Sequence, residues 1–254
     1  MTVAPVSYAV ETHGLVKEFA GFRALNGVEL RLEAGKVHAL VGPNGAGKTS
    51  LFNLLTGFLR PTAGRVVILG ADTTGLRPEG IARRGVARSF QITSLFDQLT
   101  ALEHAELALQ AASSLGYRFW TSEGALDRYR PRARELLADV GLADLAHRPA
   151  GKLPYGQKRA LELALAIALD PRLLLLDEPT AGMGAEDIRR TIALIRQARS
   201  GRTVVLVEHN MGVVAELADQ VIVLQQGRVI AQGAYAAVRE DPAVVAAYLG
   251  QAHA

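Results

Sequence analysis

Gly-Pro-Asn-Gly-Ala-Gly-Lys-Thr, at residues 42–49, is the stretch on which the fold turns. It fits the spacing G-x-x-x-x-G-K-[S/T] of a loop that wraps nucleotide phosphates. Its glycines let the backbone bend tightly and turn N–H groups inward without Cβ clashes. Such amides form an anion-binding nest. Lys48 brings a positive charge to the β- and γ-phosphates, and the Thr49 hydroxyl can ligate Mg²⁺. Gly42, Pro43, Asn44, Gly45, Ala46, Gly47, Lys48 and Thr49, with Ser50 just beyond, are the candidate nucleotide-binding residues. The apolar residues 37–41 precede the loop and read as a buried strand, and residues 50–55 follow with helical spacing. The phosphates then lie at a helix N-terminus, where the dipole and free amides both favour anions.

The rest of the chain narrows the class. Its 254 residues allow one large domain, or one domain with a subdomain. There is no cysteine, which excludes disulfides, thiolate metal sites and cysteine nucleophiles. A formal net charge of +3 is too small to argue for nucleic acid as a partner. No run reaches the ~20 apolar residues of a membrane-spanning helix. The N-terminus lacks the basic start and apolar core of a signal peptide. The expected location is the cytosol, or a membrane surface approached from that side.

Three textures follow one another. Residues 8–90 are strand-rich: 8–15 and 28–32 alternate, 37–41 is continuously apolar, and 65–69 is a further short strand. Residues 91–155 turn helical, opening on the capping box Thr100-Ala101-Leu102-Glu103. Within them, 125–140 sets charges on one side and Leu136, Leu137 and Val140 on the other. The basic run 127–134 reads as a solvated helix face or as a contact for anionic lipid headgroups. From 156 to 254, apolar runs at 173–176, 204–207 and 221–224 alternate with helical segments. That alternation implies a mostly parallel sheet with crossover helices.

A phosphate loop alone does not separate kinases, GTPases and ATPases. The second element is Leu173-Leu174-Leu175-Leu176-Asp177-Glu178. Phosphate-loop enzymes hold Mg²⁺ with a carboxylate at the end of a buried strand, and Asp177 fits that role. Glu178 emerges next, in the crevice where open α/β sheets place ligands, and could polarise water for attack on the γ-phosphate. No Asn-Lys-x-Asp or Thr-Lys-x-Asp guanine reader occurs.

With these residues in order, the chain resembles the ATP-binding cassette of ABC transporters over nearly its full length. Leu153-Pro154-Tyr155-Gly156-Gln157 occupies the place of that family's signature Leu-Ser-Gly-Gly-Gln. Phe90-Gln91 resembles its Q-loop, Glu208-His209 its switch histidine, and Phe19 its adenine-stacking aromatic. Taken alone, Phe19 could be core packing and His209 a helix cap, and Gln91 carries little by itself. The resemblance implies an α/β P-loop NTPase: a mixed or parallel core sheet, an N-terminal antiparallel β region and an inserted α-helical subdomain. The core lobe would be 8–90 with 156–254, and the subdomain 91–155.

It further implies ATP and Mg²⁺ as cofactors and a head-to-tail pair of cassettes. Each ATP would meet 42–49 of one copy and Leu153, Tyr155, Gly156 and Gln157 of the other. Thr49, Gln91 and Asp177 would attend the metal, Glu178 would act as general base, and His209 would bind the γ-phosphate. Pro154 and Tyr155 depart from the signature, and Gly184 stands where an acid is often found. The proline has neither hydroxyl nor backbone N–H to offer phosphate.

A single stand-alone cassette suggests a prokaryotic importer subunit docking on separate permeases, served indirectly by a solute-binding protein, at the cytoplasmic face of the membrane. Residues 87–91 with Leu95 and Phe96, then 181–183, 207–211 and 247–250, look like branched-chain amino acid importer ATPases. Urea and amide importers share this look, and the lipopolysaccharide-export ATPase is a further relative that resembles this chain less around Gln91; both stay as alternatives. Ile92, Thr93, Leu95 and Phe96 would line the groove for the permease, or pack locally. A scaffold that closes on ATP and hardly hydrolyses it is the alternative of a different class.

Overall fold

The computed structural model describes residues 7–89, 95–113 and 128–249. Among the described residues ten strands follow in chain order: β1 (Tyr8–Phe19), β2 (Phe22–Glu33), β3 (Val37–Val41), β4 (Ala63–Ile68), β5 (Ala71–Asp72), β6 (Val86–Ser89), β7 (Leu173–Asp177), β8 (Thr203–Val207), β9 (Gln220–Gln225) and β10 (Arg228–Gly233). They form two sheets. An antiparallel one runs β2-β1-β4-β5, and a six-stranded one runs β10-β9-β3-β8-β7-β6. The second is parallel except for β10, which returns antiparallel to β9.

The uninterrupted apolar runs explain the six-stranded sheet. All five residues of β3, of β7 and of β8 are buried, as expected for strands covered on both faces. Alternate side chains then feed two separate cores. Leu40, Leu173, Leu175, Val205 and Val207 face a cluster shared with the antiparallel sheet and the helix Lys48–Leu55, whose Phe52 is fully buried. Val37, Leu174, Leu176, Val204 and Leu206 face the other, closed by the helices Ala185–Ala198 and Met211–Leu217. Each fully buried Leu or Phe contributes roughly 1.5–3 kcal/mol of transfer free energy. β3 is therefore clamped on both faces just before the loop it feeds.

A third cluster is built by helices alone. Ala101 and Ala105 of Ala101–Ala112, Ala133 and Leu137 of Arg130–Asp139, and Leu161 and Ala164 of Tyr155–Ala168 pack together. The capping box forms: Thr100 Oγ1 accepts from the Glu103 amide at 3.2 Å, and the Thr100 amide donates to Glu103 Oε2 at 2.7 Å. Leu136, Leu137 and Val140 are buried, the side the sequence pattern assigns to the core. β1 and β2 run longer than their alternation suggests because they pair with one another over nearly their whole length. β6 and β10 carry too weak a pattern to be read from sequence; each is a sheet edge with one neighbour.

Candidate nucleotide site

The loop at 42–47 is wedged where it stands. A Cβ on Gly42 (φ +148°) would lie 2.1 Å from the Leu224 carbonyl oxygen, and one on Gly47 (φ +104°) 2.5 Å from that of Ala24. Backbone from β9 and β2 thus approaches both glycines too closely for any side chain. Lys48 is buried and donates from Nζ to the carbonyls of Gly42 at 2.7 Å and Pro43 at 2.9 Å, closing the loop on itself. Burial pushes the Lys48 ammonium below its ordinary pKa, against the pull of Glu178 and Asp177. The helix it opens has no side-chain N-cap and no acid in its first turn, which leaves its positive end available to an anion. Thr49, Asn44 and Gly45 are exposed.

Opposite the loop, β7 delivers two carboxylates with different surroundings. Asp177 is buried, and its Oδ2 accepts from Arg88 Nη2 at 2.6 Å. Arg88 also donates to Asn53 Oδ1 at 2.7 Å and Thr56 Oγ1 at 3.1 Å, tying β6 to the loop's helix. Glu178 takes φ +48°, a left-handed conformation that costs a side-chain-bearing residue energy and turns the chain sharply. Its amide still bonds the Val207 carbonyl at 3.0 Å, and its Oε1 meets His209 Nε2 at 2.9 Å. The pair is partly exposed. Glu208, between β8 and His209, is buried and bonds the amides of Thr180, His209 and Asn210.

The remaining candidates lie elsewhere. Phe19 stands at the β1–β2 tip, 43 % exposed, with Lys17 Nζ 4.8 Å from its ring centre, so it is not a core residue. Leu153 is buried in the helical cluster. Pro154 is the N-cap of Tyr155–Ala168 and supplies no side-chain bond there. Tyr155 is half-exposed and accepts from Arg159 at 3.1 Å. A Cβ on Gly156 would lie 2.7 Å from Asp187 Oδ2, and the Oε1 of Gln157 is buried without a partner among the described residues. Asn210, not His209, caps the following helix, accepting from the Gly212 amide at 3.0 Å. Gln91, with Phe90, Ile92 and Thr93, lies outside the described residues. Leu95 packs against the helical cluster, and Phe96 is exposed.

Sequence reasoning missed three features. Arg88 had a signal: a charged residue inside a strand of a buried sheet demands a buried counter-charge. Glu208 had none beyond its place before His209. The helix Pro242–Leu249 lines a cavity of about 320 Å³ together with Pro43, Asn44, Gly45 and Ala46, and its apolar pattern gave no hint of that neighbour.

No group of three or more His, Asp or Glu side chains that could hold a metal occurs among the described residues. Mg²⁺ in nucleotide sites needs only one or two protein oxygens besides phosphates and waters. The exposed Thr49 hydroxyl is an oxygen ligand of that kind, and so is the Asp177 carboxylate, whose Oδ2 is already bonded to Arg88; the two would suit such an ion.

An amide-lined loop at a helix start, a tethered lysine and two strand-end carboxylates define a P-loop nucleoside triphosphatase. The family model described as ABC transporter matches residues 25–181. The chain belongs to the ATP-binding cassettes of the ABC transporter family, and its activity is ATP hydrolysis. A second model, described as branched-chain amino acid ATP-binding cassette transporter, matches residues 228–254. The chain is 40 % identical over 252 residues to the high-affinity branched-chain amino acid transport ATP-binding protein BraF of Pseudomonas aeruginosa, covering 96 % of this chain and 98 % of BraF. It is 38 % identical over 255 residues to LivG of Escherichia coli, with the same coverage. Among solved structures it is similar to the ADP conformation of MJ1267, an ABC transporter cassette (TM-score 0.82, 29 % identity, 96 % of this chain and 99 % of that one). It is also similar to MJ0796, a dimer in a post-hydrolysis state bound to ADP and Pi (TM-score 0.76, 28 % identity, 89 % and 98 %).

Proposed function

We propose that this cassette powers uptake of branched-chain amino acids through separate permease subunits, working as one of two paired cassettes. The likeness to BraF and LivG over nearly whole chains supports the solute class. Among the described residues no helix is long and apolar enough to cross a membrane, which is in keeping with a peripheral subunit on the cytoplasmic face that borrows its membrane path from partners. The partner cassette is a second copy or a sister ATPase. Residues 8–90 and 156–254 form the core lobe of a single unit, and 91–155 form its helical subdomain. The helix that starts at Tyr155 serves both, since Leu161 and Ala164 pack in the helical cluster and Leu163 and Ala166 against the sheet.

In the proposed chemistry Lys48, Ser50 and the loop 42–47, through its N–H groups other than at Pro43, cradle the phosphates, and Phe19 stacks on adenine. Mg²⁺, held by Thr49 and Asp177 with Gln91 near it, would neutralise phosphate charge. Leu153, Tyr155, Gly156 and Gln157 close the site from the partner cassette. Glu178 takes a proton from water as its oxygen bonds the γ-phosphorus. The bond to the β-phosphate oxygen breaks, and its electron pair leaves with ADP. His209 steadies the γ-phosphate oxygens.

The observation that carries this reading is the Glu178–His209 contact of 2.9 Å beside the tethered Lys48. A base and a phosphate-binding group already adjacent need only a nucleotide between them. Glu178→Gln should abolish phosphate release and leave an ATP-bound dimer visible by gel filtration. Equal rates in the two proteins would remove Glu178 from the role.

A further inference from the structure

Glu178 and His209 sit on turns that leave the sheet side by side. β7 and β8 are parallel neighbours, with Asp177 opposite Val207 as their last pair. The Glu178 amide to the Val207 carbonyl is the final backbone link of that ladder. Beyond it the two turns are joined by the Glu178–His209 contact and by the buried side chain of Glu208. The Oε1 of Glu208 accepts from the Thr180 amide at 3.1 Å and from the Thr180 hydroxyl at 2.6 Å. Its Oε2 accepts from the amides of His209 at 3.1 Å and Asn210 at 3.3 Å. The residue is 3 % exposed, so few of these bonds can be replaced by water.

We infer that Glu208 is a positioning residue for hydrolysis: its carboxylate locks the turn after Glu178 to the turn that carries His209. The inference rests on the proposed roles of those two residues. Their side chains are bonded to each other, and a water and a γ-phosphate must take the places each now fills for the other. The side chains have to part while their backbones stay in register. The Glu178 backbone is left-handed, a less favourable conformation for a glutamate, and one amide bond to Val207 holds it. The two bonds from Thr180 to Glu208 fix the turn that follows, while the other two fix the His209 turn on the same carboxylate. The phosphate loop is held separately, by Lys48 and by the backbone packed against Gly42 and Gly47. Loss of Glu208 should therefore slow the chemical step and spare nucleotide binding.

The chemistry demands a carboxylate. Only a group that is acceptor on both oxygens satisfies four donors. A glutamine amide would set its N–H₂ against at least one backbone N–H, that of Thr180, even with the Thr180 hydroxyl turned to accept, and in a buried place an unmade bond costs most. Glu208→Gln is therefore damaging although it is nearly isosteric, and Glu208→Ala, which loses all four bonds, is more so. In phosphate release under MgATP, Glu208→Gln should lower kcat by about tenfold or more, the scale of a small misplacement of reacting groups. KM should stay within about twofold of the parent, because binding energy from the loop is untouched. ADP binding by calorimetry should remain one per chain. Thr180→Val deletes only the hydroxyl bond and should give a smaller fall in kcat at the same KM.

An unchanged kcat in Glu208→Gln overturns the inference. So does a fall in kcat that tracks a loss of ADP stoichiometry or a rise in KM, which is what general destabilisation produces. If Glu208→Gln does not fold, Thr180→Val decides alone: kcat falling at constant KM supports the inference, and unchanged kcat overturns it. Glu178→Gln run beside them separates the two levels, since turnover surviving that change defeats the proposed chemistry itself and not merely the role of Glu208.

Discussion

The two segments proposed to face phosphate, 42–49 and 153–157, are held in opposite ways. The first is enclosed: Gly42 and Gly47 touch backbone from β9 and β2, and Lys48 is bonded back onto the loop. The second is open. Of its residues Leu153 is anchored in the helical cluster, while Pro154 and Tyr155 face solvent. An enclosed loop binds its ligand with little reorganisation. An open turn at a helix start can be completed by a partner, in keeping with the proposal that one cassette closes the site of another. The largest effect should come from breaking the enclosure. Gly47→Ala places a methyl 2.5 Å from the Ala24 oxygen at φ +104°. It should abolish ADP binding by calorimetry and lower the thermal midpoint, a loss of about 3 kcal/mol or more, as a forced backbone shift requires. Retained ADP binding would show that the loop is less confined than its contacts indicate.

The open side is tested by Pro154→Ser. Proline as N-cap gives the helix Tyr155–Ala168 a fixed φ and, beyond its carbonyl, no side-chain acceptor for the first-turn amides. Serine offers both a cap oxygen and a hydroxyl for a phosphate oxygen across the pair. A hydrogen bond to a charged group is worth about 1.5–3 kcal/mol, so one made only during hydrolysis raises turnover by about tenfold to a hundredfold. ADP affinity of the isolated chain should not change. A turnover equal to the parent's would mean that the tyrosine amide and Gly156 already satisfy the phosphate without this position.

How far the sequence alone went follows from the same contrast. The strands β3, β7, β8 and β9 were legible because each carries a short apolar run, ended by a glycine or an acid in the first three and by Gln225 in β9, and the loop because of its glycine spacing; both patterns depend on nearest neighbours only. Asp177 and Glu178 were legible for the same reason. Arg88 was not, because its partners Asp177, Asn53 and Thr56 are brought together by sheet order, and β6 has no pattern of its own beyond Val86 and Ala87. Glu208 was read only as the neighbour of His209, since its bond to Thr180 spans 28 residues. The place of Pro242–Leu249 beside the loop was equally hidden: a helix apolar nearly all round does not disclose which surface it covers.

Glycines sharpen the comparison at its smallest scale. Gly184 precedes the helix Ala185–Ala198 as its N-cap, with φ −73° and ψ 164°, a conformation open to any residue. Nothing lies within 4 Å of the place its Cβ would take. The glycine here is thus not required by the fold, unlike Gly42 and Gly47. Serine is a better N-cap than glycine by a few tenths of a kcal/mol, and removing glycine from the unfolded chain adds about 0.4–1 kcal/mol. An acid would cap as well, but Glu186 and Asp187 already crowd the first turn with negative charge. Gly184→Ser should therefore raise stability by about 1 kcal/mol, a shift of about 2–4 °C in the thermal midpoint for a chain of this size. Calorimetric melting of the nucleotide-free protein reads it directly. A midpoint lowered instead would show that the turn before this helix needs its glycine, and the two halves of the site would then be equally constrained.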